Sequence, residues 1–311
     1  MRMTRIGDLD VLPLNLGGNV FGWTTDAATA HAVLDAFVDG GGNFVDTADS
    51  YSAWVPGHTG GESERLIGAW LRTRRRDDVV VATKVSQHPA HRGLSAANIA
   101  KAADASLERL GTDHIDLYYA HFDDDTPMVE IVGALSALVN AGKVRHLGIS
   151  NFSPARIAEW FDVTEAEGLH RAVALQPHYS LVERDFETNG LRAAAVQHDL
   201  AVLPYYALAS GFLTGKYRDG ARGDSPRAGG AARYADERGA RVLAALDAVA
   251  QAYDASVASV ALAWLRQQET VAAPVASASS VSQVPDLLRS ATLVLGDDAL
   301  ESLRQASVVI Q

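Results

Sequence analysis

Short apolar runs recur along the chain at intervals of about 30 residues, and stretches with helical spacing separate them. The runs are rich in Val, Ile, Leu and Tyr, and there are eight of them, at 12–16, 43–47, 79–85, 115–121, 144–150, 173–180, 201–208 and 271–277. Strands that are apolar on consecutive residues are typical of a parallel sheet covered on both faces. The pattern therefore predicts buried strands that alternate with helices.

Helix starts follow most of these runs. Thr25-Asp26, Ser95 and Ser153-Pro154 each precede a periodic apolar face, which is an N-cap signal. Eight such units without a compositional break predict one α/β domain over residues 1–311, a parallel eight-stranded (β/α)8 TIM barrel. We also expect a short N-terminal hairpin and extra C-terminal helices. The Gly-, Pro-, Arg- and Asp-rich stretch 218–233 predicts a mobile loop after the seventh strand.

Composition excludes several classes of function. A net charge of -11 and a pI near 5.3 argue against a nucleic-acid or anionic-membrane partner. The absence of cysteine excludes disulfides, thiolate metal sites and cysteine nucleophiles. No apolar stretch approaches the length of a membrane span, and no secretory leader is visible. We expect a cytoplasmic protein with a small-molecule partner, as a monomer or weak homo-oligomer.

Polar residues stand at the ends of seven predicted strands. In a parallel barrel these ends face the mouth where substrates bind. A single polar strand end is usually a cap or a turn residue, whereas seven in register indicate a site. They are Asp46, Lys84, His121, Ser150 with Asn151, Gln176, Tyr205 and Ser277.

Four residues near these ends form a chemically coherent set. Tyrosine has a pKa near 10, so it donates a proton poorly at neutral pH unless a cation stabilises the phenolate. Lys84 would be that cation for Tyr51, and a buried ammonium requires a carboxylate such as Asp46. His121 would donate a hydrogen bond to a carbonyl. Alternatively, Lys84 and Asp46 form a structural ion pair and His121 is a core histidine.

Sequence signals for a cofactor are indirect. No G-x-G-x-x-G follows a strand, since Gly40-Gly41-Gly42 precedes one, so a Rossmann domain is not expected. Ser277 to Ser280 follow the last strand and open a helix, where they would hold an anion or merely cap the helix. No His-x-His opens the barrel, and we predict no metal. Trp23, Trp54 and Phe122 lie beyond strand ends and are candidates for the substrate pocket, or pack under loops.

In chain order, several motifs resemble one family. They read GNFVDTADSY (42–51), GESE (61–64), VATK (81–84), DLYYAH (116–121), GKVRHLGISN (142–151), LQPHYS (175–180) and LASGFLTGKY (208–217). They resemble the aldo-keto reductase family over nearly the whole chain. The LTGKY segment is most similar to its bacterial, potassium-channel-β-like branch.

The resemblance implies roles for these residues. Tyr51 would be the general acid, tuned by Lys84 and Asp46, while His121 orients the carbonyl and nicotinamide C4 gives hydride. The implied cofactor-binding residues are Ser150, Asn151, Gln176, Tyr205, Leu208, Ser210, Leu213, Lys216, Ser277, Ser279 and Gln283. The expected activity is NAD(P)H-dependent reduction of an aldehyde or ketone.

The last motif departs from the family pattern. Ser279 stands where the family often has an arginine that binds the 2′-phosphate of NADP. Leu287 stands where the family often has an asparagine that contacts adenine. NADPH is the expected cofactor and NADH the alternative, and the candidates to replace the missing arginine are Arg289 and the arginines of 218–233. Two other functions stay open: a cofactor-binding, redox-sensing regulatory subunit with slow turnover, and a barrel aldolase with Lys84 as Schiff base.

Overall fold

The computed structural model describes residues 2–218 and 226–308. An antiparallel hairpin, β1 (Thr4–Ile6) and β2 (Leu9–Val11), begins the chain. A second hairpin, β6 (Gln87–His88) and β7 (His91–Arg92), lies between two sheet strands. The remaining strands form one parallel sheet: β3 (Asn15–Gly17), β4 (Phe44–Asp46), β5 (Val80–Val85), β8 (Ile115–Ala120), β9 (Val144–Ser150), β10 (Ala172–Gln176), β11 (Ala201–Val202) and β12 (Val275–Ala276).

This sheet closes into a ring. Its order is β11-β10-β9-β8-β5-β4-β3-β12, so the last strand pairs with the first. The ends of the order also meet, because Val202 forms a bridge with Val271 and the Val275 amide donates to the Pro204 carbonyl at 2.9 Å. The protein is a (β/α)8 barrel, as the spacing of apolar runs predicts.

Helices surround the ring and add a C-terminal layer. Asp26 and Ser153 cap the first and fifth through the amides of Thr29 and Arg156, at 2.8 and 3.2 Å, as predicted. The α-helices of the described residues are α1 (Ala27–Asp39), α2 (Glu62–Leu71), α3 (Ala96–Leu110), α4 (Met128–Asn140), α5 (Pro154–Glu167), α6 (Leu191–Gln197), α7 (Ala228–Ala232), α8 (Glu237–Ala252), α9 (Val257–Arg266), α10 (Val284–Ser290) and α11 (Asp297–Ala306).

Seven of the eight sheet strands are shorter than predicted, and a proline lies beside four of them, β3, β10, β11 and β12. Pro13 precedes β3, Pro177 follows β10, Pro204 follows β11 and Pro274 precedes β12. Proline has no amide hydrogen for a strand ladder, so regular pairing begins or ends beside it. The apolar runs extend past these prolines because the flanking residues are also buried.

The stretch predicted as a mobile loop is not irregular throughout. Within the described part, Ala228–Ala232 forms α7, which packs on a 3-10 turn at Ala209–Thr214. The Cβ of an alanine at Gly230 would lie 2.8 Å from the Ser210 Oγ, so this approach is close. Residues 219–225 lie outside the described residues, so mobility stays a prediction for them.

The core has two parts. A large cluster joins the outer face of the sheet to the helices. A smaller cluster joins side chains of the sheet strands, such as Phe44 and Leu117, to Ile6, Leu9 and Val11 of the N-terminal hairpin. The hairpin therefore packs against the sheet through apolar side chains, while Arg5 and Asp10 stay exposed.

No single described helix has both the length and the apolar composition needed to cross a membrane. The adjacent helices α8 and α9 pass that test only when taken together, and they meet at 97°.

Candidate active site

One cavity of about 1150 Å³ opens where the predicted strand ends meet. Such a volume exceeds the range of typical pockets for drug-sized ligands, which leaves space for a dinucleotide and a substrate together. Most predicted site residues line it: Trp23, Asp46, Tyr51, Trp54, His121, Phe122, Asn151, Gln176, Tyr205, Leu208, Ser210, Lys216, Ser277, Ser279 and Gln283.

Lys84, Asp46 and Tyr51 form a hydrogen-bonded cluster at the cavity floor. The Lys84 ammonium is fully buried and donates to Asp46 Oδ2 at 2.6 Å, to the Thr47 carbonyl at 2.6 Å and to Tyr51 Oη at 2.9 Å. Three acceptors around a buried ammonium compensate for its lost hydration. The predicted pairing of Lys84 with Asp46 and Tyr51 is confirmed in its geometry.

Asp46 is held on both oxygens. Its Oδ2 accepts from Lys84 and, at 3.3 Å, from the Tyr51 hydroxyl, while its Oδ1 accepts from the Gln176 amide nitrogen at 2.9 Å. Gln176 thus orients the carboxylate, a role that the sequence did not indicate. Because both oxygens of Asp46 are hydrogen-bonded, its carboxylate holds the Tyr51 phenol and the Lys84 ammonium in one fixed geometry.

The pKa of Tyr51 departs from the sequence-based expectation. Burial raises the pKa of the Tyr51 phenol well above its usual value, and the nearby Asp46 charge raises it further. Burial also lowers the pKa of Lys84, against the opposing effect of Asp46. Because burial and the Asp46 charge both disfavour the phenolate, the pKa of Tyr51 is raised in the protein without substrate, whereas the sequence predicts a lowering by Lys84. Tyr51 therefore carries its proton at neutral pH.

His121 stands beside this cluster as a neutral ring. Its centroid lies 6.3 Å from the Tyr51 ring, and both residues line the cavity. Burial, and then the Lys84 charge, hold the His121 pKa well below its usual value. The buried Nδ1 of His121 has no hydrogen-bond partner among the described residues. We infer that the neutral ring carries its one proton on Nε2. A neutral imidazole of this tautomer donates one hydrogen bond.

The loop after β4 places Tyr51, and α2 supports the loop. Ser52 has a φ of 73° and its hydroxyl donates to the Phe21 carbonyl at 2.9 Å, which turns the chain behind Tyr51. Thr47 donates to the Ser63 hydroxyl at 2.8 Å. Glu64 is buried and accepts from Arg109 Nε at 2.6 Å. The GESE motif therefore contributes hydrogen-bond partners below the site rather than groups that line the cavity.

Asn151 closes a second network beside His121. Its amide nitrogen donates to the His121 carbonyl at 2.9 Å and to Ser150 Oγ at 3.0 Å, and its Oδ1 accepts from the Tyr205 hydroxyl at 2.8 Å. Asn151 has a φ of 54°, a conformation that asparagine tolerates better than most residues. Tyr205 itself stacks on His178 with centroids 5.3 Å apart. These contacts fix the polar wall on which a flat amide-bearing ring would bind.

The other end of the cavity is lined by serines, an amide and two cations. Ser277 donates to the Asn19 side chain at 2.5 Å, and the Ser279 amide donates to Gln283 Oε1 at 2.9 Å. Lys216 and Arg227 supply positive charge. This donor set suits a ligand with phosphate and hydroxyl groups, so the residues present fit a nicotinamide dinucleotide.

Three predicted site residues do not line the cavity: Lys84, which lies beneath its floor, and Leu213 and Ser150. Leu213 is fully buried in the core, where its side chain packs with the helices. Ser150 is also buried, and its hydroxyl donates to the Gln176 carbonyl at 2.9 Å. Ser150 thus positions β10 and Asn151. A contact of Leu213 with the pyrophosphate through its side chain does not fit its position.

Several residues that line the cavity were missed from the sequence. Gln87 and Arg92 belong to the hairpin β6–β7, and Tyr206, Arg227 and Asp286 come from later segments. None of them ends a sheet strand, so the strand-end rule could not find them. Of the candidates to replace the family's 2′-phosphate arginine, Arg227 of the stretch 218–233 lines the cavity, whereas Arg289 does not.

A sequence model of the Aldo/keto reductase family matches residues 13–308. The chain belongs to the aldo/keto reductase family. Protein tas of Escherichia coli (strain K12) is 31% identical to this aldo/keto reductase over 95% of the chain and 94% of tas. The uncharacterized oxidoreductase YrpG of Bacillus subtilis is 34% identical over 97% of the chain and 95% of YrpG. Aldo-keto reductase yakc [NADP(+)] of Schizosaccharomyces pombe is 32% identical over 88% of the chain and 81% of yakc.

Membership supports oxidoreductase chemistry at this cavity, and the geometry weakens the other enzyme classes. Lys84 has no exposed surface and does not line the cavity, so its amine lacks the access that a Schiff base requires. Within the described ranges, no three His, Cys, Asp or Glu side chains group as metal ligands.

Proposed function

We propose that this aldo/keto reductase reduces an aldehyde or ketone to the alcohol, with hydride from NADPH or NADH and a proton from Tyr51. The observation that carries the proposal is the contact of Tyr51 Oη with the buried Lys84 ammonium, at 2.9 Å, on the wall of the large cavity. A phenol next to a buried cation is suited to lose a proton when a neighbouring oxygen gains negative charge.

The protein groups act on the carbonyl oxygen. When bound, the nicotinamide cofactor supplies the hydride that forms the new C–H bond. Tyr51 gives its proton to the oxygen, and Lys84 then stabilises the phenolate through its contact with Oη. His121 donates a hydrogen bond from its neutral ring to the same oxygen, which stabilises the charge that develops there. Solvent returns a proton to Tyr51, which is partly exposed.

Support for the cofactor comes from the cavity and from one relative. Lys216 and Arg227 offer positive charge for phosphate groups, and Asn151 and Tyr205 form the polar wall nearer to Tyr51. The name of the fission yeast relative includes NADP(+). The serine wall at Ser277 and Ser279 has room for hydroxyls, so both NADPH and NADH are to be tested.

Replacing Tyr51 with Phe tests the proton donor. Tyr51→Phe should lower kcat for aldehyde reduction by at least about 100-fold, because general-acid catalysis commonly contributes that much. The dissociation constants of NADPH and NADH should change little, because the substitution removes one hydroxyl. Turnover is followed by the absorbance of the reduced cofactor, and binding by tryptophan fluorescence.

Tyr206→Phe is the matched control. Tyr206 also lines the cavity and loses the same hydroxyl in the variant, but within the described part of the chain it forms no hydrogen bond with Lys84 or Asp46. We expect the control to keep kcat within about threefold of the wild type. Full activity of Tyr51→Phe would contradict the proposed role. Tight cofactor binding with very slow turnover by the wild type would favour a regulatory subunit instead.

A further inference from the structure

The hairpin β6–β7 brings an arginine to the substrate end of the cavity. It follows β5, the strand that carries Lys84, and three of its residues line the cavity: Gln87, Pro89 and Arg92. Arg92 is exposed, and its guanidinium forms no hydrogen bond, ion pair or ring contact within residues 2–218 and 226–308. A guanidinium presents five donors in a rigid fork that matches a carboxylate.

Acidic side chains near the hairpin have other partners. Asp124 lies close to it, because its Oδ2 accepts from the Leu94 amide at 2.8 Å, while its Oδ1 accepts from the Thr126 amide at 2.9 Å. Asp123 accepts two hydrogen bonds from Arg156, at 2.8 and 2.9 Å. The described part of the chain thus leaves Arg92 without a carboxylate, although the protein has an excess of 11 acidic residues over basic ones.

Aromatic side chains surround the same end of the cavity. Trp23 and Trp54 meet edge to face with centroids 5.5 Å apart, and Trp54 lies 6.2 Å from the Tyr51 ring. Phe122 lies 4.8 Å from the His121 ring on the other side. Trp54 and Phe122 remain 50% and 41% exposed, which is unusual for large apolar side chains and leaves their faces open to a flat ligand.

The cations of the cavity belong to two separate groups. Lys216 and Arg227 flank the segment of Ser210, to which α7 packs closely. Arg92 belongs to the hairpin that follows β5, whereas Lys216 and Arg227 follow β11, which stands four positions away in the ring of eight strands and therefore on its opposite side. Ser86 forms a bridge with Arg92, and its hydroxyl accepts from the Phe122 amide at 3.1 Å, so Arg92 lies on the side of Phe122. The phosphate groups of a cofactor would occupy the first group, which leaves Arg92 for the substrate.

We propose that the substrate is an aromatic aldehyde or ketone that bears a carboxylate, with its ring between Trp54 and Phe122 and its carboxylate on Arg92. This inference rests on the proposed function, because the carbonyl must reach Tyr51 and His121. The aromatic side chains select a flat ring, and Arg92 selects the negative charge. A neutral aliphatic aldehyde would use neither contact.

A matched pair of compounds tests the carboxylate contact. The probes are 4-formylbenzoate and its methyl ester, which share the ring and the aldehyde but differ in charge. Arg92→Gln should lower kcat/KM for 4-formylbenzoate by about ten- to a hundredfold, the size of one charge-assisted hydrogen bond, and leave kcat/KM for the ester unchanged. Added salt should weaken the preference of the wild type in the same direction.

Arg5→Gln is the matched control variant. It removes the same charge from an exposed arginine of the N-terminal hairpin, which does not line the cavity. The control should leave both kcat/KM values as in the wild type. Equal losses for the two compounds in Arg92→Gln, or no loss for either, would overturn the inference while reduction of both by the wild type upheld the proposed function.

Binding without turnover separates the two proposals in the other direction. Trp23 and Trp54 line the cavity, so binding of 4-(hydroxymethyl)benzoate should quench tryptophan fluorescence. Binding that weakens about ten- to a hundredfold in Arg92→Gln would support the carboxylate site even if no aldehyde were reduced. Binding that is indifferent to Arg92 would overturn it.

Discussion

At the residue scale, Lys84 shows how a buried charge becomes tolerable and useful. Its ammonium has three oxygen partners within 2.9 Å, and one of them is Tyr51, the proposed proton donor. Removing any partner leaves a charge that is costly to bury, so the cluster is stable only as a whole. The same dependence keeps the phenol in place when no substrate is bound.

Ser279 is the residue at which cofactor preference can be changed. Ser279→Arg should tighten NADPH binding by about tenfold relative to NADH, because a guanidinium forms a strong pair with a phosphate. The measurement is a titration of the free protein with each cofactor, followed by tryptophan fluorescence. An unchanged NADPH affinity would mean that the 2′-phosphate binds elsewhere, with Arg227 the first residue to test.

Ser282→Arg serves as the control for that experiment. It adds the same charge three residues later, at an exposed position that does not line the cavity. The control should raise the affinity for both cofactors equally or not at all. A selective gain for NADPH in the control would assign the effect to general electrostatics rather than to position 279.

Single residues were predictable where the chemistry demands a partner. A buried lysine requires a carboxylate, and the pairing of Lys84 with Asp46 follows from that rule. Gln176 was expected to hold a cofactor amide, and the contact that the structure shows is with Asp46. An amide has donors and acceptors for many partners, so residue type alone does not identify which one it takes.

At the scale of elements, the short N-terminal hairpin buries the apolar side chains of one of its faces against the sheet. Ile6, Leu9 and Val11 are buried among sheet side chains, and neighbouring positions are exposed. The alternation is that of a strand with one face on the core. The hairpin thus contributes stability to the barrel at a distance from the catalytic cluster.

Ile6→Ala should lower the free energy of unfolding by about 2–4 kcal/mol, because it deletes buried carbons and leaves a cavity. The variant should keep the kcat of the wild type, since Ile6 does not line the active-site cavity. Chemical denaturation and steady-state kinetics on the same samples measure both. Arg5→Ala, next to it and exposed, should change stability by less than about 0.5 kcal/mol.

Helices were predicted more accurately than short strands, for a physical reason. The predicted helix starts at Asp26, Ser95 and Ser153 are the N-cap positions of α1, α3 and α5, whereas β11 and β12 keep two residues each of longer apolar runs. A helix depends on local hydrogen bonds, but a strand lasts only as long as its neighbour offers partners. Pro204 and Pro274 remove those partners.

At the scale of the whole molecule, stability should depend on pH through Asp49. Burial raises the pKa of this carboxyl to about 8, with a further increase from the Glu64 charge. In the unfolded chain it ionises near 3.8. Between these values the folded protein binds more protons than the unfolded chain, so this residue makes the free energy of unfolding fall as pH rises from about 4 to about 8.

Asp49→Asn removes that proton. The stability of the variant relative to the wild type should grow by at least about 1.4 kcal/mol between about pH 5.5 and about pH 8.5, since one pKa unit corresponds to that energy. Urea denaturation at both pH values measures the difference. Parallel pH profiles for the two proteins would contradict the assignment, and Asp125→Asn, at an exposed position, should follow the wild type.

The closed ring of strands could be predicted from the sequence, whereas several of the residues that line the cavity at its mouth could not. Eight apolar runs, most of them about 30 residues apart, allow few arrangements other than a barrel, and strand ends then converge by geometry. Arg92 and Asp286 reach the cavity from segments whose paths depend on packing far along the chain. Periodicity carries no information about such paths.

The pairing of β12 with β3 also sets an order of events during synthesis. Asp46, Tyr51, Lys84 and His121 all leave the ribosome within the first 121 residues, while the serine wall at Ser277 and Ser279 comes last. A nascent chain therefore contains its whole proton-transfer cluster long before the ring can close. The Tyr51 cluster and the serine wall that would hold a cofactor come to line one cavity only when β12 pairs with β3.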